Sequence, residues 1–264
     1  TGVEFARLTN SSITILNIIK KPGKRAKAQK VIDWALAACQ DLCVRSNGSA
    51  TNIEIQTKIR LGHPAEEIIN EANEGHYSLI VVGTWPKQNF WHRLLAPTTE
   101  RVVMQACCPV LIAKGKFGPL HHILLCVSGA DTHSKATNYL TDIINRTTGD
   151  LKITVLHVMS QISAGLDGQE VWQLNAPAEE LIEAATPEGQ WLSKEIRILS
   201  ETRAIIQPRV RHGLVVDEVL MEALEGDCDL MVIGAHRQNG WQRYLLDDLS
   251  HQIIIRADRP ILVV

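Results

Sequence analysis

The chain has 264 residues, a hydrophobic fraction of 45% and 27 basic against 29 acidic side chains, for a formal net charge of −2 at pH 7. This balance is typical of a water-soluble globular protein and excludes a field strong enough to attract nucleic acid or an acidic membrane. No apolar run approaches the roughly 18 residues of a membrane span, and the first residues show no secretory signal pattern. We expect a cytoplasmic protein without a nucleic-acid partner or direct membrane contact.

The first half opens with alternating predictions of helix and strand. Residues 1–8 have the apolar spacing of the last turns of a helix, and the β-branched run 13–19 predicts a strand buried on both faces. Residues 26–43 again have helical spacing. The segment 64–73 opens with a proline and an acidic pair, which is typical of a helix start because proline needs no amide partner there and carboxylates favour the helix dipole.

The rest of the first half predicts strand, loop, helix and strand. Residues 79–82 form an apolar run that ends in Gly83, and a polar loop containing tryptophan follows. We expect a helix from about Pro97 to Gln105 and then a strand that begins at Val110 after a proline. This alternation is typical of a parallel sheet with helices on both faces and right-handed crossovers.

The second half repeats the first. Residues 62–83 recur as residues 213–234 without a gap, and each copy ends in a proline-led apolar strand, at 109–112 and 260–263. The strand predicted at 153–159 has its counterpart early in the first copy, but more residues separate it from the repeated segment. Such a long period indicates a duplicated domain rather than a solenoid.

One element has no counterpart in the first copy. The second copy opens with a predicted strand at 123–127 and a helix at 137–144, whereas residues 1–8 match only the end of that helix. We therefore expect the first copy to lack its opening strand in this chain. The predicted organisation is a first domain at 1–114, a linker at 115–120 and a second domain at 121–264.

The cysteines and histidines do not predict a metal site. Six cysteines are spread over the chain without the spacing of a disulfide framework, so we expect reduced thiols. His121 and His122 are neighbours on a predicted strand, where adjacent side chains point to opposite faces. No metal is predicted.

The repeated order of strand, glycine, loop, helix and proline-led strand resembles the universal stress protein family in its tandem form, over essentially the whole chain. The resemblance implies two doubly wound five-stranded parallel-sheet α/β domains of the adenine nucleotide alpha-hydrolase-like type, often dimeric. In one branch of the family it also implies an ATP site with the motif G-x2-G-x9-G-[ST] and an aspartate at the end of the first strand. The matching stretches are Leu79–Thr84 and Cys108–Ile112 in the first copy, and Leu230–Gly234 and Arg259–Val264 in the second.

Most positions of that ATP motif are replaced in the first copy. Such a motif needs glycines that let the backbone approach phosphate, and N–H or hydroxyl donors at a helix start. Gly83 is kept, but Pro86 and Ala96 stand at the second and third glycines. Pro97 stands at the hydroxyl position, and proline also lacks the N–H donor.

The second copy departs further from the motif. Gly234 is followed by Arg237 at the second glycine, and Asp247 and Asp248 replace the Gly-Ser pair, where their carboxylates would repel a triphosphate. The segment 127–130 also lacks the first-strand aspartate. ATP and AMP are therefore disfavoured, and we predict no cofactor.

A smaller ligand remains an alternative at the same loops. His236 and Arg237 could bind an anion, and Trp85, Trp91 and Trp241 could stack on a base or instead cover the sheet and fill the interface between the halves. If a ligand binds, the candidate residues are Gly83, Thr84, Thr98, Thr99, Ser128, Gly234, His236 and Arg237.

No nucleophile, base and orienting group stand at a recognisable spacing, so we predict that the chain is not an enzyme. We expect a stress-response or regulatory module that acts through an unidentified protein partner. The strands 110–112 and 261–264 would be apolar sheet edges, and pairing them across the halves would form an internal pseudo-dimer; a homodimer is also compatible. The alternatives are a nucleotide or small-anion sensor at the Gly83 and Gly234 loops and the cytosolic regulatory domain of a membrane transporter.

Overall fold

Helices and strands alternate along both halves of the chain, as predicted. The computed structural model describes residues 2–45, 53–83, 97–115, 118–127, 133–147, 151–160, 175–234 and 248–264. The first half contains α1 (Gly2–Thr9), β1 (Ile13–Ile19), α2 (Arg25–Arg45), β2 (Ile55–Leu61), α3 (Pro64–Glu74), β3 (Ile80–Gly83), α4 (Pro97–Gln105) and β4 (Val110–Ala113). The second half contains β5 (His122–Val127), α5 (His133–Ile144), β6 (Lys152–Met159), α6 (Ala178–Glu183), α7 (Pro187–Leu199), β7 (Ile205–His212), α8 (Val215–Glu225), β8 (Leu230–Ile233), α9 (Asp248–Arg256) and β9 (Ile261–Val263).

The strands of the second half form a doubly wound parallel sheet. Their order is β9-β8-β5-β6-β7, so the first strand of the copy, β5, lies at the centre. The central strands β5, β6 and β8 are apolar on both faces because helices cover both sides. The outer strand β7 alternates in polarity and tolerates Pro208, since an edge strand can spare an amide donor.

The strands of the first half are divided between two sheets. β1 and β2 form a parallel pair of their own, while β3 and β4 pair in parallel within the seven-stranded sheet. Within the described residues no strand lies between β1 and β3, at the place that β5 occupies in the second half. The described strands of the first half therefore form two sheets rather than one, and α1 is the helix end predicted at residues 1–8.

The two halves meet through their last strands. β4 and β9 pair antiparallel, with Val110 opposite Val263, Leu111 opposite Leu262, and Ile112 opposite Ile261. This pairing is the predicted internal pseudo-dimer, and it leaves neither apolar strand as an open edge. Successive residues of both strands enter the cores on opposite faces of the sheet. Leu111 and Leu262 belong to the core that contains Phe5 and Leu140. The core on the other face, which contains Val102 and Ile254, receives Val110, Ile112, Ile261 and Val263.

Polar contacts strengthen the same junction. The Lys114 ammonium, which follows β4, donates hydrogen bonds to the carbonyls of Ile254 and Ile255 near the end of α9, so it neutralises the negative end of that helix. Gly115 has a positive φ of 59°, and a Cβ there would overlap the carbonyl oxygen of Asp258. Glycine is therefore required where the chain leaves the first half.

The β4–β9 junction predicts an unequal response to two leucine truncations. Leu262→Ala removes a side chain that is 0% exposed, and we expect a loss of about 2–5 kcal/mol in the free energy of unfolding. Leu61→Ala in β2 is the matched control, because Leu61 is 54% exposed and should lose about 0.5 kcal/mol or less. Denaturant unfolding measures both, and equal losses would contradict the burial of this junction.

Candidate functional site

The loops that would hold a ligand leave the carboxyl ends of β3 and β8, the usual ligand position in open α/β sheets. β3 ends at Gly83, and Gly234 directly follows β8. Each of these strands is parallel to the last strand of its own half, and β4 and β9 are antiparallel to each other. The two loops therefore leave from opposite ends of the seven-stranded sheet, and each half has its own candidate site.

Both glycines at these positions face open space within the described part of the chain. A Cβ placed at Gly83 or Gly234 would meet no described atom within 4 Å. Packing of the described core therefore does not require glycine at either position.

The helices that follow the loops begin with residues that do not favour phosphate. α4 starts at Pro97, which has no amide hydrogen, and α9 starts at Asp248, which carries a carboxylate. Thr98 is half-buried and Thr99 is 4% exposed, so the Thr99 hydroxyl is inaccessible to a ligand in solution. Of the candidate residues, Gly83, Thr98, Thr99 and Gly234 are described; Thr84, Ser128, His236 and Arg237, like Trp85, Trp91 and Trp241, lie outside the described residues.

A buried histidine that sequence reasoning did not select lies beside the end of β5. The His157 ring, on β6, donates from Nδ1 to the carbonyl of Val127 at 3.2 Å, so in its neutral form Nε2 carries the lone pair. The ring meets Trp191 of α7 edge-on, with centroids 5.6 Å apart. Burial lowers the pKa of His157, while the Val127 carbonyl and the Glu188 carboxylate oppose that shift. His157 is therefore a neutral ring, held in one orientation beside Val127, the last residue of β5.

His157 predicts a specific pH response. Because its pKa lies below the usual 6.5 in the folded protein, folding favours the neutral ring; this stabilisation is present above pH 6.5 and is lost as the pH falls through the folded-state pKa. NMR titration should place the His157 pKa below 6.5, and His157→Gln should reduce the decline of stability on acidification below pH 6.5. A measured pKa at or above 6.5 would contradict the buried environment.

The largest groups of charged side chains occur twice, at equivalent positions of the two copies. In each copy, basic residues of an outer strand pair with glutamates of the helix that follows it. We call them the first and second charged clusters. The first contains Lys58, Arg60, Glu67, Glu71 and Glu74, and the second contains Arg209, Arg211, Glu218, Glu222 and Glu225.

One buried glutamate lies at the centre of each cluster. Glu71 accepts hydrogen bonds from Lys58 at 2.5 Å, Arg60 at 2.8 Å and Tyr77 at 3.0 Å. Burial alone would raise the pKa of Glu71, but these three donors outweigh it, and the pKa is lowered. Glu222 is the equivalent residue and accepts from Arg211 at 2.6 Å. Because the charges are satisfied inside each cluster, the clusters hold the outer strands on their helices and are poor ligand sites.

The first charged cluster predicts how stability depends on pH. The pKa values of Glu71 and Glu74 are lowered, so their stabilisation is present above the unfolded value of 4.5 and is lost as the pH falls through the folded-state values. Arg60→Met should cost about 1–3 kcal/mol at pH 7 and reduce the decline in stability below pH 4.5.

The control is Arg101→Met, which removes a half-exposed pair with Glu66 at 2.9 Å and should cost about 1 kcal/mol or less. Urea unfolding at several pH values measures both variants. An equal pH dependence for Arg60→Met and the unaltered chain would show that the cluster does not hold these carboxylates in their charged form.

Two α/β units with the same order of strands and helices, joined through their last strands, define the class of tandem α/β proteins with largely parallel sheets. The family model described as "Universal stress protein family" matches residues 1–114 and 119–264. The chain therefore belongs to the universal stress protein family and carries two such domains in tandem.

Curated relatives agree with this assignment. A universal stress protein of Methanocaldococcus jannaschii is 37% identical over 71 residues, a match that spans 27% of this chain and 42% of the relative, well under two thirds of its length. A universal stress protein of Mycolicibacterium smegmatis is 23% identical over 234 residues, 87% of this chain and 75% of the relative.

Solved structures agree on the fold. A universal stress protein of Archaeoglobus fulgidus superposes with a TM-score of 0.64 at 18% identity, covering 99% of this chain and 90% of that one. A Pseudomonas aeruginosa protein described as functionally unknown superposes with a TM-score of 0.66 at 18% identity, covering 100% of this chain and 85% of that one.

None of the described helices is long and apolar enough to cross a membrane.

Proposed function

We propose that this chain is a non-enzymatic, cytoplasmic stress-response module that acts through protein contacts and does not bind ATP in the usual mode of its family. The proposal rests on the first residues of α4 and α9, the helices that follow the two candidate loops. α4 begins at Pro97 and α9 begins at Asp248. Both residues stand where a phosphate site needs donors.

The physical reason differs between the two copies. A phosphate at a helix start is held by free N–H groups and the positive end of the helix dipole. Pro97 removes one N–H donor from that set in the first copy. In the second copy, each carboxylate of Asp247 and Asp248 would repel a phosphate charge by about 1–4 kcal/mol at short range, depending on the effective dielectric constant.

Four buried or half-buried acid–base groups, His122, His157, Glu71 and Glu222, support a role without catalysis, because each is held by structural contacts. His122 is held on both ring nitrogens, by the Gly226 carbonyl and the Thr154 hydroxyl, each at 2.8 Å. His157 donates to a backbone carbonyl. The buried glutamates at the centres of the charged clusters are paired with arginine. These groups are committed to structure, which leaves the surface of the joined halves for contacts with a protein partner.

The second candidate function is a sensor for a nucleotide or small anion. Gly83 and Gly234 support it, because no described atom lies within 4 Å of a Cβ at either position and glycine lets a ligand approach the backbone closely. His236 and Arg237 would supply the positive charge in the second copy. This site would take a smaller anion than a triphosphate, since the carboxylates of Asp247 and Asp248, at the motif's Gly-Ser positions, oppose a high negative charge.

Calorimetric titration with ATP tests the proposal. We expect the purified chain to release no bound nucleotide and to show no saturable heat up to about 1 mM ATP. The comparison variant restores the family motif with Pro86→Gly, Ala96→Gly, Pro97→Ser, Arg237→Gly, Asp247→Gly and Asp248→Ser, and should bind at least about tenfold more tightly. Stoichiometric nucleotide or micromolar affinity in the unaltered chain would overturn the proposal and favour the sensor.

A further inference from the structure

One surface of the first half carries only positive charge, and we call it the basic surface. It comprises six side chains that follow β1 and continue into the first turns of α2: Lys20, Lys21, Lys24, Arg25, Lys27 and Lys30. All six are exposed, and the segment 20–30 contains no acidic residue. Within the described ranges none of the six forms an ion pair. Because like charges at close range repel one another, an anionic partner would stabilise this surface.

A large aromatic side chain extends the basic surface along α2. Trp34 is 72% exposed, although indole rings are rarely left in solvent. With 3.6 residues per turn, Trp34 lies on the same side of the helix as Lys27 and Lys30. Ala28 and Ile32, which α2 buries, lie on the other side. An exposed tryptophan next to cations is typical of the centre of a protein interface.

The second half carries the opposite charge at the corresponding place. α6 and α7 connect β6 to β7, as α2 connects β1 to β2, and the segment 160–193 contains no lysine or arginine. α6 buries Ala178 and Leu181. Its exposed side carries three glutamates that form no ion pair within the described part of the chain. We call these three the acidic surface: Glu179, Glu180 and Glu183.

The acidic surface also has a small apolar border. Ala184 and Ala185 directly follow α6, and both are exposed. Two alanines leave a shallow area beside the carboxylates, whereas Trp34 projects beside the lysines of the basic surface. The two surfaces therefore complement each other in shape as well as in charge.

Both surfaces lie on the same side of the molecule. Ala178 of α6 belongs to the same core as Phe5 of α1, and α1 contacts α2. The antiparallel pairing of β4 with β9 relates the two halves by an approximate two-fold rotation, so the surfaces lie in opposite halves. When two molecules bring this side together around a two-fold axis, each basic surface can meet the acidic surface of the other molecule, and the contact forms twice.

We propose that the basic surface binds the acidic surface of a second copy of this chain, and that two such contacts form a symmetric dimer. Trp34 of each copy covers the Ala184–Ala185 border of the other. A dimer of ordinary stability buries about 800 Å² on each partner, so each of the two contacts needs only about 400 Å². This inference goes beyond the proposed function and does not depend on it, because the candidate loops take no part in the contact.

Sedimentation equilibrium of the purified chain from about 1 to 100 µM tests the proposal. We expect a reversible dimer at about 50 mM NaCl, with a Kd at least about tenfold higher at about 500 mM NaCl, since salt screens exposed charges. A monomer at every concentration in low salt would overturn the proposal. So would a dimer whose Kd does not change with salt.

Charge reversal identifies the two surfaces. Lys27→Glu with Lys30→Glu makes both surfaces acidic, and Glu180→Lys with Glu183→Lys makes both basic, so each variant alone should dimerise at least about tenfold more weakly. An equimolar mixture of the two variants should form a heterodimer, because every contact again joins opposite charges. All four side chains are exposed, so circular dichroism should show an unaltered fold.

The matched control is Lys152→Glu with Arg203→Glu, which changes the net charge equally but lies at the amino ends of β6 and β7. This control should keep the dimer. Its mixture with the Glu180→Lys, Glu183→Lys variant should not restore full association, because one contact would still join like charges. Equal loss in the control, or no recovery in the mixture of the two reversed variants, would contradict the pairing of these surfaces.

A tryptophan variant tests the apolar part of the contact. Trp34→Ala should raise the Kd of the dimer about tenfold and leave the thermal transition of the fold unchanged, since the side chain is exposed in the single chain. Leu214→Ala is its control, because Leu214 is 65% exposed and begins α8, which packs on the other face of the sheet. An equal effect of both substitutions would place the contact elsewhere and overturn the proposal.

Discussion

The antiparallel pairing of β4 with β9 is the contact on which the architecture depends. Three residue pairs close the two apolar edges, and their side chains contribute to both cores of the seven-stranded sheet. Neither half could present its last strand to solvent without offering an edge for aggregation. Its antiparallel direction also places Gly83 and Gly234, at the carboxyl ends of β3 and β8, at opposite ends of the sheet.

The two copies share their charged clusters but differ at the motif positions beside the loops. Arg60 and Arg211 occupy equivalent positions and each binds three glutamates of the following helix. The motif residues beside the loops have instead been replaced differently in the two copies, by proline in one and by aspartate in the other. A fold that needs its outer strands held in place explains the first pattern.

Much of the fold could be predicted from the sequence because its signals are local. Buried parallel strands such as β1 and β6 are continuous apolar runs, and α4 lies at the residues predicted for it. The outer strands β2 and β7 could not be predicted in the same way, because polar and charged side chains break their apolar runs and Pro208 interrupts β7. The pairing of β4 with β9 could be predicted because both are apolar strands at a sheet edge, and pairing with each other protects both edges from aggregation.

The site was less predictable, for a different reason. The charged clusters join a strand to the next helix, and their partners, 7 to 14 residues apart, meet only when that helix packs on the strand. His157 had a readable signal, a histidine inside an apolar strand run, which is typical of a buried and hydrogen-bonded ring. The burial of Thr99 could not be predicted from its position two residues after Pro97, because burial depends on which face of α4 packs against the core.

Native-state hydrogen exchange on the segments 109–114 and 260–264 tests the central claim most directly. If β4 and β9 form one continuous sheet, both segments should exchange only through global unfolding, with equal protection that matches the slowest amides of β5 and β8. Rapid exchange of the β4 segment, while β9 and the rest of the second half remain protected, would show that the two halves are separate domains with open edges.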